Sequence, residues 1–195
     1  MVGTTEITAI VRAGQLAPSG DNCQPWRFEW DGEALEIIFA SERAESLYDV
    51  DHLASWVALG AVLTNMRIAA RRLGHELSAE LFPLDGAAAI AARIRLHPGP
   101  RVDDPLSTSL EARCVNRRPY RADPLDPHAR HMLLDVTAVD STIHVDLIES
   151  EPQRSQLAAL AAANDRILFE NRQLRAGLFQ WLRWTPAEIL RTRDG

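Results

Sequence analysis

Lysine is missing from this sequence: every one of its 21 basic side chains is an arginine. Schiff-base catalysis on lysine and a phosphate-cradling P-loop both need that amine, so both are excluded. No Gly-x-Gly-x-x-Gly run occurs, which leaves a dinucleotide no Rossmann turn to dock on. Cysteine is scarce: Cys23 and Cys114 are the only two, too far apart to build a disulfide framework or a zinc ribbon. Positive charge is not in excess, and a net charge of −6 gives nucleic acid no electrostatic footprint. The amino terminus shows no basic stretch followed by an apolar one. The longest apolar run, around residues 53–70, is interrupted by Asn65 and Arg67 and makes a poor bilayer span. His128 and His131 stand three apart near Asp126, but a third metal ligand is not evident, so they read as a surface pair. These absences together lead to an expectation of a reducing cytoplasm, with no nucleic acid, membrane or metal.

What the sequence does contain is concentrated between residues 17 and 26: Ala17-Pro18-Ser19-Gly20-Asp21-Asn22-Cys23-Gln24-Pro25-Trp26. Asn22 and Gln24 each carry an amide donor and a carbonyl acceptor. Pro25 fixes its own φ and biases Gln24 towards an extended shape. From the residues alone there are two readings. One is a polar corner closed by proline, with Trp26 opening a core strand. The other is a loop suited to a flat heterocycle with edge donors and acceptors.

The remaining pattern alternates helix and strand. Apolar spacing at Ile7, Ile10, Val11 and Leu16 predicts a helix over 6–16, stopped by Pro18. Asp31-Gly32 between 26–30 and 34–39 predicts a hairpin. Residues 52–73 form the strongest helical pattern, with Gly74 as C-cap and a stripe of Leu53, Trp56, Val57, Gly60, Leu63, Met66 and Ala70 expected to be core. The acidic Asp49-Val-Asp51-His52 ahead of it reads as a cap. Strands are predicted over 75–82 and 87–97, and the proline-rich stretch 98–105 as a linker. Beyond it come a short helix over 106–112, a helix over 127–139 capped by Asp126, a strand over 142–148 and a long helix over 151–176. The class is α+β, a mostly antiparallel sheet flanked by helices with one long central helix. The domain reading is a first lobe at 1–97, the linker at 98–105, and the start of an incomplete second lobe at 106–195.

Pro18-Ser19-Gly20-x-Asn22-x-Gln24-Pro25-Trp26 resembles the flavin-contacting loop of the FMN-dependent nitroreductase superfamily. Arg113-Cys114-Val115-Asn116-Arg117-Arg118-Pro119-Tyr120 resembles the arginine motif with which that superfamily holds FMN. Read from charge alone, this second run is a solvated basic patch paired with Glu111 and Asp123. The order of the two motifs resembles the Acg-like branch of NAD(P)H nitroreductases, whose longer chains hold two similar lobes, so this chain looks truncated beside them. The resemblance implies a nitroreductase-like fold and FMN as cofactor, reduced by NADH or NADPH. The electrons would then pass to a small-molecule acceptor, nitroaromatic or quinone-like, with a homodimer completing the pocket. Carried onto this chain, the FMN-binding residues are Pro18, Ser19, Asn22, Gln24, Arg113 and Arg117, with no catalytic side chain assigned. Val115 stands where the family has a serine or threonine, which removes a hydrogen-bond partner for the flavin. The alternatives are a flavin-binding or sequestering protein without turnover, and a degenerate fragment of such a protein.

Overall fold

The computed structural model describes residues 2–44, 48–83, 89–116, 118–121, 123–135 and 144–192. The chain divides into two units, residues 1–114 with 176–195, and residues 115–175.

The first unit begins with α1, Thr4–Gln15, where Glu6 Oε2 reaches back to the Gly3 N–H at 3.1 Å and so closes the helix start. Ile7, Ile10, Ala13 and Gly14 fall on one face by three- and four-residue steps, and that face is buried. Strands β1, Trp26–Trp30, and β2, Leu35–Phe39, form the expected hairpin in the register Trp30↔Leu35 to Trp26↔Phe39. Its turn is held by Asp31, whose Oδ1 accepts from the Glu33 and Ala34 N–H groups at 2.8 and 2.7 Å. Helix α2, Leu53–Leu73, ends at Gly74, which takes a left-handed φ of 85° that a side chain would disfavour. Strands β3, His75–Leu81, and β4, Ile90–Pro98, complete a four-stranded antiparallel sheet in the order β1-β2-β4-β3. The α+β class and the long helix are as expected.

α1 and α2 lie against each other, and at Gly14 they pack tightly. A Cβ there would stand 2.8 Å from Met66 Cγ. Ile10, Leu35, Ile37, Val62, Met66 and Ile94 are each less than 2% exposed and form the centre of the core. Burying such a side chain contributes about 1.5–3 kcal/mol.

The buried face of α2 overlaps the expected stripe only in part: Met66 and Ala70 are in the core, and Trp56 and Leu63 pack partly buried against it. Ser55, Ala58, Leu59, Val62, Met66, Ile68 and Ala70 are buried, while Leu53 and Val57 are 65% and 76% exposed. The helix has apolar residues around most of its circumference, so periodicity could not select the face. The position of α1 and the sheet selects it. Val50–Leu73 is long and apolar enough by composition to cross a bilayer, yet it carries Arg67 and its buried face belongs to this core.

The segment after β4 continues as a turn over Pro105–Thr108, with Asp104 Oδ1 accepting from the Leu106 N–H at 2.8 Å, and then α3, Ser109–Ala112. Ser107 in this turn is buried.

In the second unit Asp126 caps α4, Pro127–Asp135, as expected, accepting from the His128 and Ala129 N–H groups at 2.9 and 3.1 Å. Residues 136–139, the rest of that expected helix, lie outside the described residues. Of the expected strand at 142–148, residues 144–148 are irregular and pair with no strand among the described residues, and 142–143 are outside the described residues. The long helix is shorter than expected. α5 spans Glu151–Glu170, and α6, Arg172–Phe179, starts anew because Asn171 Oδ1 accepts from the Gln173 and Leu174 N–H groups. α7, Pro186–Thr192, belongs to the first unit and opens on a reciprocal cap between Thr185 and Glu188. No described residue beyond Ser107 is buried.

Candidate functional site

The loop 17–26 begins where α1 stops. Its first anchor is α2, whose Asn65 donates through Nδ2 to the Ala13 carbonyl at 3.1 Å, fixing the last turn of α1. Ala17 is buried, Pro18 is exposed and Ser19 is extended. A single turn over Gly20–Asn22 follows. Asp21, Asn22 and Gln24 all have positive φ, at 49°, 55° and 48°. Three non-glycine residues in the left-handed region within four positions make a strained segment, and such strain persists only where the surroundings hold it. The expectation that Pro25 would keep Gln24 extended is corrected here. Gln24 is left-handed, and the Trp26 N–H closes back onto its carbonyl at 2.7 Å.

Several contacts maintain this shape. Ser19 Oγ accepts from the Gln24 N–H at 3.0 Å. Arg43, on the turn Ser41–Arg43 that follows β2, directs Nη1 at the carbonyls of Gln24 and Trp26, both at 3.4 Å. The Ala40 N–H donates to the Pro25 carbonyl at 3.1 Å. Pro25 and Trp26 are buried, so the loop is rooted in the core. Cys23 is half-buried; burial pushes its thiol above the ordinary range, partly opposed by the Ser19 hydroxyl. A thiol held neutral in this way packs as a small apolar group.

Next to the loop is a cavity of about 80 Å³ lined by Gly20, Asp21, Cys23, Arg43, Asp49 and Ser55 among others. Asp49 closes its far side, accepting from the Ala54 N–H at 2.8 Å and from the Ser55 hydroxyl at 2.6 Å, which makes it the cap of α2. That space suits a few waters, not a drug-sized ring system, whose pockets run to about 300–1,000 Å³.

Arg113 follows α3 directly, and its Nη2 donates to the Leu16 carbonyl at 3.3 Å. The guanidinium thus stands just ahead of the first residue of the strained loop, 97 positions away in sequence. It is exposed and bridges no carboxylate among the described residues. Arg121, not Arg113, is the one that pairs with Asp123, at 3.5 Å. Arg117 lies outside the described residues. Val115 is 62% exposed and the Asn116 side chain accepts from the Arg118 N–H. Among the described residues no three His, Cys, Asp or Glu side chains cluster as a metal site; His131 pairs with Asp135 at 3.2 Å.

Sequence reading placed the acidic cap at 49–52 but missed Arg43 and the Ser55 hydroxyl that Asp49 holds. Arg43 has no signal, because nothing in the spacing ties residue 43 to residues 24 and 26. The Asp49–Ser55 contact could have been found as an acid ahead of a helix start with a hydroxyl in its first turn.

No protein-family model matches the chain. A Mycobacterium tuberculosis protein described as a candidate NAD(P)H nitroreductase, acg, is 29% identical over 186 residues in two strains. The match takes in 93% of this chain and 55% of the relative, so the chain spans about half the length of that protein. A second M. tuberculosis protein is 30% identical over 184 residues, 93% of this chain and 25% of that one. Among solved structures, a candidate nitroreductase from Desulfovibrio desulfuricans in complex with FMN aligns with TM-score 0.43 and 22% identity over 62% of this chain and 87% of that one. A candidate NADH dehydrogenase/NAD(P)H nitroreductase from Bacteroides thetaiotaomicron aligns with TM-score 0.43 and 15% identity over 76% and 88%. At such values the structural likeness adds no weight of its own. The sequence similarity to acg runs through 93% of this chain.

Proposed function

We propose that the chain is an FMN-dependent oxidoreductase of nitroreductase type. It would draw on NADH or NADPH and reduce a small-molecule acceptor of nitroaromatic or quinone-like chemistry. The observation that carries this reading is the Arg113 guanidinium at the Leu16 carbonyl, which sets the start of the arginine motif against the start of the amide loop.

The donor set suits a flavin. A guanidinium can grip a phosphate or offset negative charge at the ring's N1–O2 edge. Asn22 and Gln24 bring amides to a polar ring edge, and the strained backbone holds them without further ordering on binding. Arg117 belongs to the same proposal as a second cationic grip. Bound FMN would supply the hydride and electron transfer, so the chain itself needs no general base or nucleophile. The cavity beside the loop is too small for the ring, so the remaining walls would come from a second subunit. A cytoplasmic homodimer is therefore part of the proposal.

The test is the visible spectrum of the purified chain with added FMN, before and after NADPH. Retained yellow colour that bleaches is the expected result. Asn22→Ala and Arg113→Ala should each weaken FMN binding about tenfold, while His128→Ala should not. Equal affinity in all three variants would refute the site. Val115 favours one second reading, a protein that holds flavin without turning over. In that case the colour is retained but indifferent to NADPH.

A further inference from the structure

We propose that Arg43 is a positioning residue for the amide loop, clamping the backbone on both sides of Pro25 so that Gln24 keeps its left-handed conformation. The inference deepens the proposed flavin site and rests on that reading for its link to binding, though not for the clamp itself.

The loop carries strain at three positions. Gln24 has φ 48°, Asn22 φ 55° and Asp21 φ 49°, all outside the regions a side chain prefers. Such conformations persist only where neighbouring groups over-determine them. The Trp26 N–H donates to the Gln24 carbonyl at 2.7 Å, and two side chains add to that bond. The Ser19 hydroxyl accepts from the Gln24 N–H at 3.0 Å, and Arg43 Nη1 faces the Gln24 carbonyl at 3.4 Å. The same Arg43 nitrogen faces the Trp26 carbonyl at 3.4 Å. Both distances are long for a single hydrogen bond and suit one donor shared between two acceptors. The two carbonyls flank Pro25, which has no N–H of its own to tie the chain down. A planar, permanently charged donor can serve both at once, and a charged donor makes the stronger bond.

Arg43 has the support this role needs. It ends the turn Ser41–Arg43, which follows β2 directly, and β2 pairs with the strand that Trp26 begins. The neighbouring Glu42 pairs with Arg27 of β1 at the surface, an exposed ion pair that contributes little to the position of Arg43. Arg43 also lines the small cavity under the loop, together with Asp21 and Asp49. Ser19, assigned to the ligand on resemblance, here uses its oxygen inside the loop, which makes it the second half of the clamp.

The experiment compares the full chain with Arg43→Ala, Arg43→Lys and Arg27→Ala. Two quantities are read: the hydrogen-exchange rate of the Gln24 amide without ligand, and the FMN dissociation constant from quenching of flavin fluorescence. The expected result for Arg43→Ala is Gln24 exchange at least about tenfold faster and FMN binding about tenfold weaker, at an unfolding midpoint close to wild type. Arg43→Lys should recover part of both, and Arg27→Ala should change neither beyond about twofold. If wild-type protein does not bind FMN, the proposed function fails, and the exchange rate alone then judges the clamp. Unchanged Gln24 exchange in Arg43→Ala overturns the inference. So does unchanged affinity in a chain that binds FMN, or a loss that merely tracks a fall in the unfolding midpoint.

Discussion

Two helices of nearly equal length behave in opposite ways. α2 has 21 residues and buries seven of them; α5 has 20 and buries none, leaving Leu157, Leu160, Ile167 and Phe169 more than half exposed. Both are rich in alanine and leucine, and helix propensity does not separate them. What separates them is what lies alongside. α2 has α1 on one side and a four-stranded sheet on the other, whereas the second unit has no buried residue of its own among those described. A helix gains most of its stability from an apolar face that something covers. The first unit therefore folds as a core, and the second is held by local caps and exposed ion pairs such as Arg130–Glu149 and Arg166–Glu170, each worth little.

The contrast breaks if core and surface substitutions have similar effects. Leu35→Ala, at a side chain 1% exposed, should cost about 2–5 kcal/mol in denaturant unfolding, whereas Leu160→Ala on α5 should stay within about 0.5 kcal/mol. A large loss at Leu160 would show that α5 is covered in solution. The two caps sharpen the same contrast. Asp49→Ala removes the acceptor of the Ala54 N–H and the Ser55 hydroxyl and should cost about 1–2 kcal/mol. Asp126→Ala removes a similar cap from α4 and should leave the main transition unmoved, because helix α4 buries nothing that the transition would expose.

The smallest effect is on pH dependence. Asp31 is held below the usual carboxylate range by the Ala34 N–H first and the Glu33 N–H next, and Glu6 by the Gly3 N–H and then His75. A carboxyl group lowered on folding stabilises the fold fully above its unfolded pKa, about 4, and loses that contribution as pH falls through the folded value. The thermal midpoint should thus drop on acidification below about pH 4, and Asp31→Asn should show a shallower drop than wild type. Parallel curves would remove Asp31 from the account of the hairpin turn.

Much of this was legible in the residues. The hairpin at Asp31-Gly32, the glycine cap at Gly74, the Asp126 cap and the proline stop after α1 each depend on chemistry within a few residues, and each stands where it was expected. The face of α2 was not legible, because apolar residues surround most of that helix. The conformation of Gln24 was misread for a related reason. The proline rule describes a local preference, and here the Trp26 N–H, the Ser19 hydroxyl and the Arg43 guanidinium all bond to Gln24 in the conformation which that rule does not expect. The strand expected at 142–148 rested on alternation alone, which marks a strand only when a neighbour offers a ladder.

Sequence alone determined the α+β class, the short-range turns and caps, and the two motifs that carry the resemblance, since all of these are written in neighbouring residues. Only the tertiary structure decided which side of α2 is core, how the amide loop is clamped, and that Arg113 meets Leu16 across 97 positions. Those depend on contacts between distant segments, whose partners no local pattern names.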